Sequence, residues 1–218
     1  MSFEQGFTVI ADCCSASECD GVRTHIDQIV GGGSRALLAR TWCQTLANTL
    51  REFAARSVPE LRSLIAVQCT YFNKSPTSNW FVAFHQDRSI PVESNVTPEQ
   101  WPGWSRKEGM TFIHGPDELL ADMIAIRLHI DPSGQDNGPL RVIPNSHRDG
   151  TLSPGDIEKM CSTATARTLT ANQGDLILMR PLLLHASSKS RTITSRRVLH
   201  FLFGPRTLPD GLEWERGV

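Results

Sequence analysis

Apolar residues near the N-terminus recur at the spacing of an α-helix. Between residues 36 and 53 they fall on one helical face. The members of this stripe are Ala36, Leu37, Leu38, Trp42, Leu46, Leu50 and Phe53. Ser34 precedes the stripe and is a residue type that caps helix N-termini, whereas Pro59 ends or restarts a helix. We therefore expect residues 1–60 to form a helical N-terminal layer.

From residue 61 onwards the pattern changes to short apolar runs separated by turn residues, which is typical of strands. These runs cover residues 64–72, 124–130, 140–144, 176–179, 182–184 and 196–203. Pro181 lies between two of them and indicates a break or a bulge. A short helix is expected at Pro154 to Cys161. The pattern predicts a mainly β core at 61–218 with flanking helices.

Length and charge narrow the class of protein. The chain has 218 residues, which suits a single domain spanning 1–218 with a sizeable core. Lys plus Arg number 22 and Asp plus Glu number 23, so nothing favours a nucleic acid or an anionic membrane as partner. No apolar run has the length of a membrane span, and the first residues lack the pattern of a signal peptide. We expect a cytoplasmic protein, monomeric or homodimeric.

The six cysteines show no metal-binding or disulfide framework. None of them forms a CxxC pair or has zinc-site spacing, and three cluster at Cys13, Cys14 and Cys19. Free thiols in a reducing cytoplasm fit this usage. We interpret the cluster as structural or incidental.

His85 and Asp87 form the first candidate site. If they lie on a strand, their side chains point to the same face, because strand side chains alternate. An imidazole and a carboxylate on one face are two ligands for a divalent metal. An HxD pair alone is weak evidence, since a strand-end His beside a solvated Asp is common.

A third ligand comes from His185, at the end of the apolar run 182–184. Two His and one carboxylate form the facial triad of non-haem iron oxygenases. In the strand 196–203, alternation separates Arg196 from Arg197. If this strand forms a hairpin with the run that ends at His185, then His185 and Arg196 lie close together. The planar guanidinium of Arg196 would suit a carboxylate ligand beside the metal.

Other polar residues are candidates for contact with a ligand bound at the same site. Gln68 either faces inward toward a cosubstrate or bonds to neighbouring backbone. Asn73 and Lys74 either approach a ligand or serve the turn that follows. Arg127 and His129 point into the barrel if the aliphatic face of their strand packs on the helices.

Residues 88–116 are rich in Pro, Gly and Trp and predict a long irregular segment. Long loops inside compact domains are usually lids or binding loops. Candidates for substrate contact in or beside this segment are Trp80, Arg88, Trp104 and His114. The alternative is that the aromatic residues pack down as a satellite cluster. His114 is not expected to ligate a metal, because the triad is complete without it.

Four motifs resemble the phytanoyl-CoA dioxygenase family of iron(II)/2-oxoglutarate oxygenases. They are HQD at His85 to Asp87, NGPLRVIPNSH at Asn137 to His147, RPLLLHASS at Arg180 to Ser188, and RRVLHF at Arg196 to Phe201. The family usually has PGSH where this chain has Asn145 in PNSH. Because Asn tolerates the left-handed conformation that Gly supplies, we expect the turn to survive.

The resemblance implies a double-stranded β-helix, the jelly-roll fold of cupin-like proteins. It implies Fe(II) held by His85, Asp87 and His185, with 2-oxoglutarate anchored by Arg196. Ser187 falls where the family has a hydroxyl that helps hold the same carboxylate.

The implied activity is that of a dioxygenase, in which O2 and 2-oxoglutarate hydroxylate a small molecule with release of succinate and CO2. Related halogenases lack a carboxylate at the position of Asp87, so hydroxylation is expected, with desaturation or ring closure as variants. We expect a small, soluble substrate that is not an acyl-CoA. Two other classes stay open: a metal-dependent hydrolase or isomerase on a cupin-like barrel, and a catalytically inactive binding protein.

Overall fold

A computed structural model describes residues 3–29, 31–93, 96–97 and 99–218 of the chain. The helices are α1 (Ala16–Ile26), α2 (Thr41–Ala54), α3 (Asp117–Asp122) and α4 (Pro154–Thr163). The strands are β1 (Phe7–Ile10), β2 (Gly33–Ser34), β3 (Leu64–Lys74), β4 (Val82–His85), β5 (Ser89–Val92), β6 (Ser105–Lys107), β7 (Met110–His114), β8 (Ile124–His129), β9 (Leu140–Val142), β10 (Arg167–Leu169), β11 (Leu176–Met179), β12 (His185–Ser187) and β13 (Arg196–Pro205).

In the part of the chain that the structure describes, three antiparallel sheets make up the β core. The largest has six strands in the order β1-β11-β8-β13-β3-β2. Opposite it lies a four-stranded sheet in the order β10-β9-β12-β4, and a three-stranded sheet has the order β5-β7-β6. The non-sequential strand order and the antiparallel pairing are those of a jelly roll. The fold is therefore mainly β, as the apolar pattern predicted.

The two faces of the six-stranded sheet belong to different cores. Ile126 and Leu128 of β8 pack in one core with Leu50 of α2. Ala125, which points the other way, packs in a second core with Val142 of the four-stranded sheet. Alternation along each strand thus gives one face to the helices and the other to the space between the sheets. That inner space holds the candidate site.

Several predicted elements are confirmed. The run 64–72 forms β3, 124–130 forms β8 and 196–203 forms β13, while the helix expected at Pro154 is α4.

All six cysteines are free. Within the described residues, no helix is long and apolar enough to cross a bilayer.

The prediction for residues 1–60 was incomplete. Helix α2 begins at Thr41, and Ser34 lies in β2 instead of capping a helix. Leu37–Ala39 form a separate 3-10 turn. The segment also contributes β1, an edge strand of the six-stranded sheet. Its FTVI run is short and amphipathic, and its pairing with β11 is a long-range contact that helical spacing does not reveal.

The prediction of one long irregular segment at residues 88–116 was wrong in part, because the segment contains three short strands. It forms β5, β6 and β7, with Ile90 and Ile113 fully buried. Burial of these aliphatic residues in the second core stabilises strands that the Pro and Gly content disfavours. Residues 94, 95 and 98 lie outside the described residues.

The expected hairpin between the runs near His185 and Arg196 was also wrong. Strand β12 pairs with β4 and β9, whereas β13 pairs with β3 and β8 in the opposite sheet. The preceding run, Leu182–Leu184, is not a strand, and β12 begins at His185. The two strands therefore face each other across the inner space.

Candidate metal centre

Strand pairing in the four-stranded sheet brings two imidazoles together. His185 of β12 is the Cα partner of His85 of β4. Their ring centroids lie 4.2 Å apart. Asp87 follows the end of β4, and its backbone N–H donates to Pro181 O at 2.9 Å. The chain leaves the strand just where the carboxylate is needed beside both rings.

The three side chains offer converging donor atoms. His85 Nε2 lies 3.6 Å from Asp87 Oδ1, and His185 Nε2 lies 3.5 Å from Asp87 Oδ2. One ligand atom from each residue falls within 4.8 Å of the others. Among the described residues, this is the one His/Cys/Asp/Glu cluster with such geometry.

Backbone carbonyls orient both imidazoles. His85 Nδ1 donates to Ala83 O at 2.9 Å, and His185 Nδ1 donates to Leu183 O at 2.8 Å. A carbonyl only accepts, so the proton of each neutral ring is on Nδ1. The Nε2 lone pairs are then free for a metal, which is the usual outer-shell arrangement of metal-binding His.

Electrostatics favour the ligating form of two of the three residues, His185 and Asp87. Burial lowers the pKa of His185 to about 4, although the charge of Asp87 acts the other way. Burial tends to raise the pKa of Asp87, but His185, His85 and His200 outweigh it and hold that pKa well below its usual value. For His85, burial is outweighed by the hydrogen bond and charge of Asp87, so its pKa is raised. A neutral His185 and an ionised Asp87 are the ligating forms.

The triad opens into a cavity of about 340 Å³ between the sheets. Among the described residues, the lining of this cavity includes six cationic side chains and one carboxylate. The cations are Arg35, Lys74, Arg88, Lys107, Arg127 and Arg196, and the carboxylate is Asp87. This imbalance makes the cavity suited to an anionic ligand.

Arg196 lies in this cavity and is 2 % exposed. Its guanidinium makes no hydrogen bond or ion pair within the described residues, and its Nε is buried without a partner. Burial, helped by the charge of Arg127, lowers its pKa to about 9. Arg197 lies on the other face of β13, where Nε donates to Asp131 Oδ2 at 2.8 Å. Of the two arginines, Arg196 is the one with free donors facing the metal site.

Arg127 and His200 form a pair on the inner face of the six-stranded sheet. Arg127 Nη1 donates to His200 Nδ1 at 3.0 Å, so the proton of a neutral His200 is on Nε2. His200 Nε2 lies 3.6 Å from Asp87 Oδ2. Burial lowers the pKa of Arg127 to about 10. Burial, followed by the charge of Arg127, lowers the pKa of His200 to about 3. Sequence reasoning gave His200 no role, although its alternation with Arg196 on β13 placed it on the same face.

Strand β3 contributes two of the predicted polar residues, with different outcomes. Gln68 lines the cavity, where its Nε2 donates to Thr70 Oγ1 at 2.8 Å. Asn73 does not line the cavity, because alternation turns it away from the face that carries Phe72 and Lys74. Lys74 is the residue that reaches the cavity from this end of the strand.

Ser187 of β12 lines the cavity beside Lys74. Its Oγ donates to Gly138 O at 3.0 Å and accepts from Lys74 Nζ at 2.6 Å. The short strand β12 therefore supplies both His185 and Ser187 to the same cavity.

Of the four predicted substrate contacts, the structure brings two to the cavity. Trp80 and Arg88 line it, whereas Trp104 and His114 do not. Trp104 packs against the second core, and its Nε1 donates to Val96 O at 3.1 Å. Burial, followed by nearby cations, lowers the pKa of His114, whose backbone N–H donates to Pro102 O. For Trp104, the structure therefore agrees with the alternative interpretation, in which the aromatic residue packs in a satellite cluster.

Fe(II) fits this donor set. The cluster offers two imidazole nitrogens and one carboxylate, and it faces an open cavity. This ligand arrangement is typical of non-haem Fe(II) oxygenases. A buried cation without a counter-charge stands across the cavity at Arg196. The site thus has places for both a metal and an acidic ligand.

Comparison with known proteins agrees with this architecture. The model of the family described as Phytanoyl-CoA dioxygenase (PhyH) matches residues 3–198. A comparison with curated protein sequences gives no significant match.

Three solved structures are similar over nearly the whole chain. The non-heme alpha ketoglutarate dependent carbocyclase SnoK from nogalamycin biosynthesis has a TM-score of 0.69 at 12% identity, covering 95% of this chain and 85% of that one. EctD from S. alaskensis has a TM-score of 0.66 at 17% identity, covering 93% of this chain and 74% of that one. HygX from Streptomyces hygroscopicus was solved with nickel, 2-oxoglutarate and hygromycin B bound. It has a TM-score of 0.60 at 15% identity, covering 93% of this chain and 84% of that one. At these identities the similarity establishes the fold.

Proposed function

The chain belongs to the phytanoyl-CoA dioxygenase family, and we propose that it is an Fe(II)- and 2-oxoglutarate-dependent oxygenase that hydroxylates a small molecule. One observation carries the proposal. The cluster of His85, Asp87 and His185 shares a cavity with Arg196, a buried cation without a partner in the described residues.

His85 Nε2, His185 Nε2 and an oxygen of Asp87 would hold the metal. When bound, Fe(II) with O2 and 2-oxoglutarate supplies the oxidising chemistry, which yields succinate and CO2 and transfers one oxygen atom to the substrate. The hydrogen bonds from Nδ1 to Ala83 O and Leu183 O keep both rings turned toward the metal position. Such bonds fix the tautomer and the orientation of a metal-binding imidazole.

Arg196 would bind the distal carboxylate of 2-oxoglutarate. Its guanidinium can form the bidentate, charge-assisted pair that holds carboxylates most strongly. The bound carboxylate would also relieve the cost of a buried, uncompensated cation. We further assign Gln68 and Arg127 to the same cavity wall as cosubstrate contacts, since both line it. Asn73 is not retained, because it does not line the cavity.

Hydroxylation is the proposed outcome because Asp87 keeps the carboxylate ligand that related halogenases lack. Ring closure is a variant, as one structural neighbour is a carbocyclase. Trp80 and Arg88 would contact the substrate at the cavity wall. We retain a small, soluble substrate and exclude an acyl-CoA from the proposal. Calorimetry with an acyl-CoA tests this exclusion, and tight binding would overturn it.

The remaining parts of the proposal concern the whole chain. Residues 1–218 would act as one domain in the cytoplasm, as a monomer or homodimer. The shared second core, which joins both large sheets, supports a single cooperative unit. One unfolding transition by two different probes, and a mass by light scattering, would test these points.

The decisive test is anaerobic addition of Fe(II) and 2-oxoglutarate. A weak visible charge-transfer band is expected only if both bind at one site. Its absence from a folded protein would contradict the oxygenase and favour a metal-dependent hydrolase or isomerase, or a binding protein. A screen of small molecules for succinate formation would then identify the substrate.

A further inference from the structure

The cavity carries more positive charge than the proposed metal and cosubstrate can balance. Among the described residues, its lining includes six cations, and Asp87 is the one carboxylate. Fe(II) would bring two positive charges and 2-oxoglutarate two negative ones, so binding both leaves the excess of cations unchanged. Cations held in a cavity cost free energy unless an anion pairs with them. A further anion is therefore expected in this cavity.

Half of the six cations lie away from the proposed cosubstrate anchor. Three belong to the long strands β3, β8 and β13 of the six-stranded sheet, which also carry the anchor Arg196. The other three, Arg35, Arg88 and Lys107, lie outside those strands. Arg35 already has a partner, because its Nη1 lies 3.6 Å from Glu108 Oε1. Arg88 and Lys107 form no ion pair with any carboxylate of the described residues.

Arg88 and Lys107 reach the cavity from the three-stranded sheet. Arg88 directly precedes β5, and Lys107 is the last residue of β6. The sheet face that carries Phe112 and Lys107 lines the cavity, whereas the face that carries Ile90 and Ile113 is packed in the second core. Burial of the aliphatic face thus holds the cationic face toward the metal centre.

Both side chains have hydrogen-bond donors that no described residue uses. The Nε of Arg88 is buried without a partner. Lys107 Nζ lies 5.5 Å from the centroid of the Phe112 ring, which offers a π face but no acceptor oxygen. Burial, followed by the charges of Arg88 and Lys107, lowers the pKa of His114, so both cations lie within electrostatic range of one imidazole. The two cations can therefore act together on one ligand group.

The carboxylate of Asp117 lies near Arg88 but is engaged elsewhere. Hydrogen bonds from Thr151, with a smaller contribution from the charge of Arg88, lower the pKa of Asp117. Asp117 Oδ2 accepts from the backbone N–H of Thr151 at 2.8 Å, and its Oδ1 accepts from the Thr151 hydroxyl. Asp117 does not line the cavity. It therefore leaves the cavity side of Arg88 without an anionic partner.

We propose that the substrate is a small organic anion, and that Arg88 and Lys107 bind its carboxylate or phosphate group. This inference rests on the proposed function and names the substrate class of the same site. Arg88 directly follows Asp87 in the chain, so the anionic group is bound beside the metal centre. The cavity of about 340 Å³ also has to hold 2-oxoglutarate, which keeps the substrate small. Neutral analogues leave both cations unpaired and are rejected for that reason.

Matched ligands that differ in charge test this inference. Protein loaded with Fe(II) and saturating 2-oxoglutarate under anaerobic conditions is titrated by calorimetry with small carboxylates, their primary amides and the corresponding phosphate monoesters. Benzoate, benzamide and phenyl phosphate form one such set, and saturating cosubstrate keeps the Arg196 site occupied. In at least one set the anion should bind about tenfold or more tightly than the amide, and added salt should reduce this preference.

The set with the largest preference also distinguishes the two anionic groups. A preferred carboxylate indicates a carboxylic acid substrate, and a preferred monoester indicates a phosphate ester. Absence of a preference for the anion in every set would overturn the inference.

Single substitutions then locate the anion. Arg88→Gln and Lys107→Gln should each weaken the preferred anion about tenfold or more, the cost of a lost charge-assisted hydrogen bond, and change the amide less than about twofold. Arg106→Gln is the matched control, because Arg106 is the exposed neighbour of Lys107 on β6 and does not line the cavity. It should leave all ligands unaffected. A preference that persists in both cavity variants would mean that the anion binds elsewhere, which would also overturn the inference.

Cosubstrate binding and thermal unfolding separate this inference from a folding defect and from the proposed function. Both cavity variants should bind 2-oxoglutarate within about threefold of the wild type, and their Tm should not fall, because each loses an unpaired cation. A lower Tm with equal weakening of anion, amide and 2-oxoglutarate would make the two residues structural and overturn the inference. If the charge-transfer band forms in the wild type but no anion is preferred, this inference alone fails. If the band does not form, the proposed function fails and this inference with it.

Discussion

The two walls of the cavity differ in how their charges are satisfied. On the metal wall, formed by His85, Asp87 and His185, each imidazole is fixed by a backbone carbonyl and faces one carboxylate. On the cationic wall, formed by Lys74, Arg127 and Arg196, three buried cations form no ion pair with any carboxylate of the described residues. The first wall is complete apart from a metal ion. The second consists of buried cations, which cost free energy unless an anion pairs with them.

This difference separates what each wall contributes. The metal wall lies on short strands, and the pairing of β12 with β4 places His185 beside His85. The cationic wall lies on the long strands β3, β8 and β13, whose helix-facing sides are buried in the first core. A large core can offset the cost of buried charge, and strain of this kind is commonly found at binding sites. Substitutions on the metal wall should therefore lower turnover and leave stability unchanged. Substitutions on the cationic wall should affect anion binding.

The largest expected effect is on the metal wall. His85→Ala, Asp87→Ala and His185→Ala should each abolish turnover and lower iron affinity more than about a hundredfold, since even outer-shell changes cost tenfold or more. The fold should remain largely intact, because both cores are built without these side chains. Iron content after dialysis, with circular dichroism, measures both.

His114→Ala and His147→Ala are the matched controls, because neither residue belongs to the cluster. Both variants should retain iron. Loss of iron in either control, with retention in the triad variants, would require a different ligand set.

The second effect contrasts adjacent arginines on opposite faces of β13. Arg196→Ala should raise the 2-oxoglutarate requirement about a hundredfold or more, by the cost of leaving a carboxylate unpaired in a buried site. Arg197 instead bonds both oxygens of Asp131 and also reaches Asp27. Arg197→Ala should lower the free energy of unfolding by about 1–3 kcal/mol and leave the cosubstrate requirement unchanged. Succinate formation against 2-oxoglutarate concentration, with urea unfolding, distinguishes them.

That contrast marks how far sequence reasoning reaches. Strand alternation assigned Arg196 and Arg197 to opposite faces and put Arg127 on the inner face of β8, because a period of two depends only on local geometry. The spacing of His85 and Asp87 singled out a metal site for the same reason. These features need no knowledge of which strands pair.

What the sequence did not predict depends on long-range pairing. The hairpin failed because β12 and β13 belong to different sheets, and only the fold brings His185 and Arg196 across one cavity. Asn73 and Lys74 were not distinguished because the end of β3 resembled a turn, so its alternation was not followed to the last residue. In residues 88–116 burial of Ile90 and Phe112 outweighed local propensity.

The third effect uses pH to probe the cationic wall. The pKa of Lys74 is about 7 without ligand, and a bound carboxylate would raise it. Binding then takes up a proton above pH 7, so the affinity for 2-oxoglutarate should fall as pH rises, by at most about tenfold per pH unit. Of the groups facing the lysine, Ser187 and Trp80 carry no charge in this range and the pKa of Arg127 is about 10, whereas the pKa of Arg196, about 9, lies near the upper end of the range.

Calorimetry from pH 6.5 to 8.5 measures this slope. Lys74→Met should remove the lysine's part of it, and the same change at Lys159, which is exposed and does not line the cavity, should leave it unchanged. A slope that persists in Lys74→Met would mean that another group takes up the proton.

The smallest effect lies outside both walls, at Trp104. Its indole is packed on the second core and donates to Val96 O, away from the cavity lining. Trp104→Phe should lower the free energy of unfolding by about 0.5–1.5 kcal/mol, the usual net value of one hydrogen bond. The Kd for 2-oxoglutarate should change less than about twofold, because a distant neutral substitution leaves the charges on the walls unaltered. A large change in Kd without a change in stability would mean that this segment covers the cavity, and the contrast between the two walls would then have to include a third surface.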